Sequence, residues 1–239
     1  MVVEKEELGN KEPDILFEDN DILVINKPAG LVVHSDGKTK EKTLADWVVS
    51  NFPETENVGE PTKLTSGEVI KRPGIVHRLD RETSGVMLVA KNQNSFENLK
   101  TQFKNHEIIK KYQTFVFGNF KEEGGVVDRP IGRSRSDFRK WSAQRGARGE
   151  MREALTEYKV LQSNKEYSFL EVSPKTGRTH QIRVHMKAIH HPVVADSLYA
   201  GSKDNTLGFS RVALHSKEVT FRGTDGEKHT ISAPIPPDF

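Results

Sequence analysis

Residues 77–91 read HRLDRETSGVMLVAK, and this segment is the most informative guide to the architecture. Its first half is charged, and a Thr83-Ser84-Gly85 turn separates it from GVMLVAK. The second half is a short apolar run, which is typical of a buried β-strand. We therefore expect a buried strand that begins just after a charged turn carrying Asp80.

Pairs of β-like segments occur on both sides of this strand. Polar turn residues join the two members of each pair, which favours hairpins. The pairs are ILFED with ILVINKP, ALTEYKVLQ with EYSFLEVSP, and VALHSKEVTF with KHTISAPI. KYQTFVFG predicts a further half-buried strand, and LVVH (31–34) a short one. Because hairpins outnumber strand–helix–strand units, we predict an α+β fold with a largely antiparallel or mixed central sheet flanked by helices and loops.

Three helices are predicted from apolar periodicity and capping residues. Thr43 can cap a helix over LADWVVSNF, and Asn94 with Glu97 can cap a second helix. A third helix is expected from Thr179 to His190. Residues 53–73 contain Pro, Gly and alternating charges without a period, which predicts a long loop.

The domain organisation predicted from these elements is simple. Residues 1–13 are acidic and weakly apolar, which predicts a disordered tail. Neither an internal repeat nor a break in composition divides the remainder, so residues 14–239 are expected to form one catalytic domain.

Composition narrows the function classes. The 239 residues contain no cysteine, which excludes disulfides, thiolate metal sites and cysteine nucleophiles and fits a reducing compartment. Apolar runs are far shorter than the roughly 20 residues that span a bilayer. A cytoplasmic protein without a membrane segment is expected.

Positive charge is concentrated in one segment, although the net charge is only +2. Residues 129–152 hold eight basic against two acidic side chains, a local charge of +6. Such a segment, which includes Arg133, Arg139 and Lys140, can bind phosphates. A solvated charged loop is the alternative interpretation.

Asp80 is the strongest candidate for a reactive group. Arg78 and Arg81 flank it, and nearby positive charge keeps a carboxylate ionised and able to act as a nucleophile, a base or an electrostatic stabiliser. The alternative is a surface turn in which Asp80 pairs with its own arginine neighbours.

A second polar cluster, GRTHQIRVH (177–185), opens the third predicted helix, where an N-terminus favours anions. Arg178 and Arg183 could bind phosphates or a carboxylate there, or form an ordinary charged helix face. Other enzyme classes fit poorly. Leu79 interrupts the kinase HRD pattern, HExxH is absent, and no second carboxylate matches a glycosidase.

At these residues the sequence resembles the RluA-type pseudouridine synthases. The motifs occur in the family's order from about residue 14 to residue 239. They are HRLDRETSG, a strand ending in Ala90-Lys91, Lys111-Tyr112, GRTHQIRVH, and Ala213-Leu214-His215. The resemblance implies the pseudouridine synthase fold.

The resemblance also implies roles for individual residues. Asp80 matches the essential aspartate, Tyr112 the tyrosine that packs on the flipped base, and Arg183 the arginine that pairs with the aspartate. Arg78 matches a residue that enters the space left by the extruded nucleotide, and Leu214 the apolar wall of the pocket. Further RNA contacts are expected from His77, Lys111, Arg178, His180 and Gln181.

The implied reaction isomerises uridine in a structured RNA (tRNA or large-subunit rRNA) to pseudouridine after base flipping. No atoms are gained or lost, so no metal, redox cofactor or nucleotide is expected. A monomer is expected. The alternative is a non-catalytic RNA-binding or RNA-chaperone protein on the same scaffold. Many relatives carry a small RNA-binding domain ahead of the catalytic one, and the first strand near Asp14 predicts that this domain is absent.

Overall fold

A computed structural model describes residues 12–35, 41–63, 67, 69–144 and 147–239 of the chain. The chain divides into two compact units, one running up to Lys104 with Phe221–Ala233, the other comprising Asn105–Thr220 with Pro234–Phe239. The single catalytic domain therefore stays a prediction. Of the predicted tail, residues 1–11 lie outside the described residues, and Pro13 is buried.

Strands are the main elements of the described residues. In chain order they are β1 (Asp14–Glu18), β2 (Ile22–Lys27), β3 (Thr62–Lys63), β4 (Val69–Ile70), β5 (Ser84–Ala90), β6 (Ile109–Phe117), β7 (Gly124–Asp128), β8 (Ile131–Arg133), β9 (Trp141–Ser142), β10 (Arg148–Arg152), β11 (Leu155–Ser163), β12 (Tyr167–Pro174), β13 (Leu214–Arg222) and β14 (Lys228–Ser232). The helices are α1 (Leu44–Asn51), α2 (Gln93–Lys104) and α3 (Gln181–Ala188), with a 3-10 turn at Pro53–Thr55. This content is α+β, as predicted.

The first unit is built on antiparallel strands in the order β1–β2–β5. All seven residues of β5 are buried, so the apolar run of the sequence forms a buried strand as predicted. The β1–β2 hairpin is also confirmed. Within the predicted loop 53–73, β3 and β4 form a small hairpin, and residues 64–66 and 68 lie outside the described part.

Capping determines where the helices of the first unit begin. Thr43 caps α1, as predicted, and forms a reciprocal capping box with Asp46. The predicted start of α2 at Asn94 is wrong by one residue, and its predicted cap is wrong as well. Asn92 caps this helix instead, because its Oδ1 accepts the Ser95 N–H at 2.9 Å.

Residues 31–34 do not form the predicted strand. The Val32 and Val33 carbonyls accept the N–H groups of Leu44 and Ala45, at 2.8 and 3.1 Å. These donors belong to the first turn of α1 and have no partner inside the helix. The backbone of this segment therefore bonds to a helix start and not to a neighbouring strand.

The second unit contains a five-stranded antiparallel sheet in the order β13–β6–β12–β11–β7. β6 buries alternate residues, Tyr112, Thr114 and Val116, which confirms its predicted alternation. The β11–β12 hairpin is confirmed too. β10, β8 and β9 form a smaller antiparallel sheet.

Helix α3 is shorter than the predicted helix from Thr179 to His190. His180 and His190 have φ values of 56° and 70°. A residue in the left-handed region cannot continue a right-handed helix, so these two histidines lie outside it. No helix among the described residues has the length and apolar character needed to cross a membrane.

The last residue of β2, Lys27, has a completely buried side chain. Its Nζ donates to the carbonyls of Pro28, Leu31 and Arg81 at 2.8, 3.0 and 3.1 Å. The Gly30 N–H also donates to the Arg81 carbonyl, at 2.8 Å. A buried ammonium costs several kcal/mol unless it is hydrogen-bonded, and these carbonyls offset that cost. The contacts fix the backbone of residues 28–31 and of Arg81 at the end of β2.

We predict that Lys27→Met lowers the free energy of unfolding by about 3 kcal/mol, because three partly buried carbonyls lose the hydrogen bond from the Lys27 ammonium. Urea denaturation measures the change. Lys100→Met is the matched control, since Lys100 is 42% exposed and its surface ion pair with Glu60 should contribute little to stability. Equal stabilities for the two variants would show that the Lys27 contacts do not hold this region.

Candidate active site

Asp80 lies in the first unit, in a turn that directly precedes β5. The Thr83 N–H donates to the Asp80 carbonyl at 3.1 Å and closes the turn. Leu79 is 4% exposed and anchors the turn in the core, whereas Asp80 is partly exposed. The carboxylate is therefore held on a fixed backbone at the start of a buried strand.

The two arginines that flank Asp80 in sequence do not pair with it among the described residues. Arg81 Nη2 contacts Glu41 Oε2 at 2.8 Å, and both side chains are more than half exposed. Arg78 is exposed. The structure does not support the alternative in which Asp80 pins its turn through its own neighbours.

A hydrogen bond and a ring contact within the first unit hold the His77 side chain. Its Nε2 accepts the Leu88 N–H at 2.9 Å, and its ring stacks on Phe103 at 4.7 Å. An Nε2 that accepts a hydrogen bond carries no proton, so the imidazole is neutral in this arrangement. Its predicted RNA contact stays a prediction.

Three basic side chains of the first unit, His34, Arg72 and Arg78, influence one another. Burial, together with the charges of Arg72 and Arg78, lowers the pKa of His34 to about 3. Burial and the Arg78 charge also lower the pKa of Arg72. Within the described part of the chain, His34 Nδ1 and Arg72 Nε are buried without a hydrogen-bond partner. Sequence analysis missed His34 and Arg72, because nothing in their spacing distinguishes them from ordinary basic residues.

Tyr112 and Leu214 belong to the second unit and are buried there, at 9% and 4% exposure. Tyr112 lies on β6 in register with Val172 of β12 and Ser216 of β13. Leu214 begins β13, opposite Thr114. Strand pairing on both sides thus fixes the backbone at Tyr112.

Arg183, on α3, forms a buried bidentate ion pair with Asp196. Its Nε and Nη2 lie 2.7 and 2.8 Å from the two carboxylate oxygens. Asp196 is 1% exposed, and its Oδ1 also accepts the N–H groups of Leu198 and Tyr199 at 3.0 and 3.1 Å. Bidentate contact fixes the plane of a guanidinium as well as its position. Sequence analysis missed Asp196, which follows an apolar segment and belongs to no recognisable pattern.

Tyr199 contacts both Arg183 and His180, the residue that directly precedes α3. The guanidinium carbon of Arg183 lies 5.1 Å from the centroid of its ring. Its hydroxyl accepts the Trp141 N–H at 2.9 Å and lies 2.9 Å from His180 Nδ1. The predicted RNA residue His180 is therefore held by a hydrogen bond to a buried tyrosine.

Gln181 and Arg178 have contacts within the second unit. The Gln181 side chain donates to the Leu155 carbonyl and to Thr156 Oγ1, and accepts from Thr176 Oγ1 and the Arg178 N–H. These four bonds fill the hydrogen-bonding capacity of an amide. Arg178 is partly exposed, and its Nε donates to the Glu153 carbonyl. The predicted RNA contacts of both residues stay predictions.

The two lysines that precede Tyr112, Lys110 and Lys111, have pKa values that are shifted in opposite directions. Lys111 contacts Glu218 at 3.0 Å, and this hydrogen bond raises the pKa of Lys111. Burial lowers the pKa of Lys110 to about 8. An ammonium with such a pKa can exchange a proton near neutral pH.

The basic segment 129–152 is partly ordered by its own side chains, although Arg145 lies outside the described residues. Arg139 forms an exposed ion pair with Asp137, which lowers the Asp137 pKa to about 2. Lys140 lies 3.9 Å from the same carboxylate. Arg133 lies over the Trp141 ring at 4.3 Å. Cation and aromatic ring together are a common surface for nucleic acid.

The structure thus places the predicted catalytic residues in both units, Asp80 in the first and Tyr112 with Arg183 in the second. Each lies on a backbone fixed by strand or helix contacts. Their action on the same uridine stays a prediction.

Comparison with known proteins identifies one family. The RNA pseudouridylate synthase family pattern matches residues 21–188. An uncharacterised RNA pseudouridine synthase of Bacillus subtilis is 37% identical over 95% of this chain and 70% of its own length. A ribosomal large subunit pseudouridine synthase D of Zymomonas mobilis is 35% identical over 95% of this chain and 70% of its own. A Synechocystis relative is 37% identical, and the chain spans 66% of it, slightly under two thirds.

Solved structures show the same fold. Human RNA Pseudouridylate Synthase Domain Containing 1 aligns with a TM-score of 0.72 at 25% identity, covering 94% of this chain and 84% of its own. Human RNA Pseudouridylate Synthase Domain Containing 4 has the same TM-score and covers 93% and 88%. The predicted pseudouridine synthase fold is confirmed.

We predict that Asp196→Asn lowers the free energy of unfolding by about 3 kcal/mol, because it leaves the buried Arg183 guanidinium without its carboxylate. Thermal and urea unfolding measure the loss. Glu157→Gln is the control, since its ion pair with Lys175 is nearly half exposed and should contribute under about 1 kcal/mol. If both substitutions had the same small effect, the buried pair would not be holding Arg183.

Proposed function

Because this chain belongs to the RNA pseudouridylate synthase family, we propose that it converts selected uridines of a structured RNA to pseudouridine with Asp80 as its nucleophile. The matches to known proteins confirm the family and the enzyme class that the ordered motifs predicted. The observation that carries the proposed role of Asp80 is its position in HRLDRETSG, on a turn closed by its own backbone and anchored by Leu79.

The reaction requires one bond to break and another to form at the same sugar carbon. The N1–C1′ bond of uridine breaks, the uracil turns over, a C5–C1′ bond forms, C5 loses its proton to a base, and N1 gains a proton. An ionised carboxylate can start this sequence by attacking C1′, and the bond that it forms to C1′ breaks when the C5–C1′ bond forms. Since the product is an isomer of the substrate, we propose that no redox cofactor, metal or nucleotide takes part.

We assign supporting roles to Tyr112 and Arg183 by resemblance to the family. Tyr112 would pack on the flipped base and assist removal of the C5 proton. Arg183 would pair with Asp80 and keep it ionised. Its guanidinium carries five N–H groups, of which Nε and one on Nη2 bond Asp196. This contact orients the group in advance, which supports a positioning role.

A uridine inside a folded RNA must leave its stack, at a cost of a few kcal/mol, before a carboxylate can reach it. Phosphate contacts and stacking can recover that cost. The proposed RNA contacts are His77, Arg78, Lys111, Arg178, His180, Gln181, Arg133, Arg139 and Lys140, with Leu214 as an apolar wall.

We propose ribosomal or transfer RNA as the substrate class. The name of the Zymomonas relative supports large-subunit ribosomal RNA. Such RNA is found in the cytoplasm, where we propose that the protein acts, as a monomer. The alternative is an RNA-binding protein without catalysis; the presence of Asp80, Tyr112 and Arg183 together favours the enzyme.

We predict that Asp80→Asn abolishes tritium release from uracil-labelled total RNA of cells that lack this protein, while RNA affinity stays within a few-fold. An amide is a poor nucleophile, but it preserves the shape of the side chain. Glu82→Gln is the matched control, because Glu82 is an exposed carboxylate two residues away and should release tritium at the wild-type rate. Normal turnover by Asp80→Asn would exclude the proposed nucleophile, and absence of turnover by the wild type would favour the binding protein.

We predict that joint neutralisation of Arg133, Arg139 and Lys140 to Gln weakens RNA binding and reduces the dependence of log Kd on log salt concentration. Each phosphate contact that is lost lowers that slope by about one. The matched control neutralises three exposed lysines of the same unit, Lys121, Lys159 and Lys165. If the salt slope equalled that of the control, segment 129–152 would be a solvated loop that does not bind RNA.

A further inference from the structure

Two side chains of the first unit, His34 and Arg72, have no part in the chemistry described so far and lie near the proposed RNA contact Arg78. The two guanidinium groups of Arg72 and Arg78 lie close enough to the buried His34 imidazole for their charges to lower its pKa. Among the described residues, neither guanidinium forms an ion pair. Two like charges beside a buried ring are unfavourable in the free protein, so the arrangement needs a different explanation from fold stability.

The unpaired nitrogens show what kind of ligand would fit. His34 is 8% exposed, yet its Nδ1 has no hydrogen-bond partner among the residues that the structure describes, and the buried Nε of Arg72 has none there either. Buried polar atoms are nearly always hydrogen-bonded, so each such atom requires an explanation. Guanidinium groups offer paired donors that match two oxygens of one anion. A neutral imidazole can add one N–H donor in the Nδ1–H tautomer.

We propose that His34, Arg72 and Arg78 form a binding site for a backbone phosphodiester of the substrate RNA. A phosphodiester has one negative charge and two non-bridging oxygens, which match two guanidinium groups and one imidazole N–H. Binding would supply partners to both buried nitrogens and relieve the repulsion between the arginines. The inference rests on the proposed function for the identity of the ligand.

The position of Arg78 in the chain suggests which phosphate is bound. Arg78 precedes Asp80 by two residues, and the turn at Asp80 is fixed by the Thr83 N–H. A phosphate held by Arg78 would lie beside the nucleotide that Asp80 attacks. The site would therefore grip the backbone next to the flipped uridine, so that phosphate binding offsets part of the cost of unstacking.

Substitution of Arg72 tests the site. We predict that Arg72→Gln weakens binding of a short fluorescent oligouridylate roughly tenfold at moderate salt and lowers the salt slope by about one. The KM for RNA should rise, while kcat stays within a few-fold. Lys71→Gln is the matched control: it removes the same charge one residue away, from a side chain already paired with Glu56 at 2.9 Å.

Two further measurements separate this site from a structural role. In the free protein, Arg72→Gln should leave Tm unchanged or raise it, because the substitution removes an unpaired charge crowded by Arg78. His34→Leu should weaken oligouridylate binding, whereas His34→Gln, which keeps an N–H donor, should restore most of it. A fall in Tm with a salt slope equal to that of Lys71→Gln would overturn the proposal.

The outcome is independent of the proposed catalysis. If wild-type protein released no tritium, the proposed function would fail, yet oligouridylate binding and its salt slope would still report on the site. If wild-type protein turned over RNA while Arg72→Gln matched Lys71→Gln in KM and slope, only the phosphate site would be wrong.

Discussion

The buried ammonium of Lys27 is the contact on which the geometry of the candidate nucleophile depends. It closes the end of β2 by donating to three carbonyls, and one of them belongs to Arg81, the residue after Asp80. A second donor, the Gly30 N–H, reaches the same carbonyl. Backbone fixed in this way holds the partly exposed Asp80 in one position. Reactive groups need such support from neighbours that do no chemistry themselves.

In the second unit, too, a buried charged group fixes a neighbour through hydrogen bonds, but here the buried group is a carboxylate and not an ammonium. Asp196, itself held by the N–H groups of Leu198 and Tyr199, fixes the guanidinium of Arg183 from both carboxylate oxygens. Buried ion pairs add little net stability, but they specify one orientation. Tyr199 extends this order to His180 at the start of α3. The guanidinium proposed to pair with Asp80 and the imidazole proposed to contact RNA are thus oriented before RNA binds.

Sequence patterns predicted the strands well because side-chain alternation and apolar runs are local properties. β5 and the alternation of β6 follow directly from them. Predicted helix boundaries were wrong where a single residue determines the end of the helix. Asn92 caps α2 in place of Asn94, and His180 and His190 have positive φ values and so lie outside α3. The segment 31–34 looked like a strand, but its carbonyls bond the start of α1.

The candidate site was predictable only in part, for a related reason. Asp80, Tyr112 and Arg183 lie in motifs whose order resembles a family, so they could be named in advance. Lys27 and Asp196 act through buried hydrogen bonds, and His34 and Arg72 stand out through their unsatisfied buried nitrogens, which spacing alone does not show. A lysine at the end of an apolar strand looks like a solvated strand end until its burial is known.

Mapping of pseudouridine in cellular RNA tests the central claim most directly. RNA would be compared from cells with this protein, without it, and without it but supplied with wild-type or Asp80→Asn protein. We predict that one or a few uridine positions lose the modification on deletion, regain it with wild type, and stay unmodified with Asp80→Asn. An unchanged map on deletion, or full recovery with Asp80→Asn, would contradict the account.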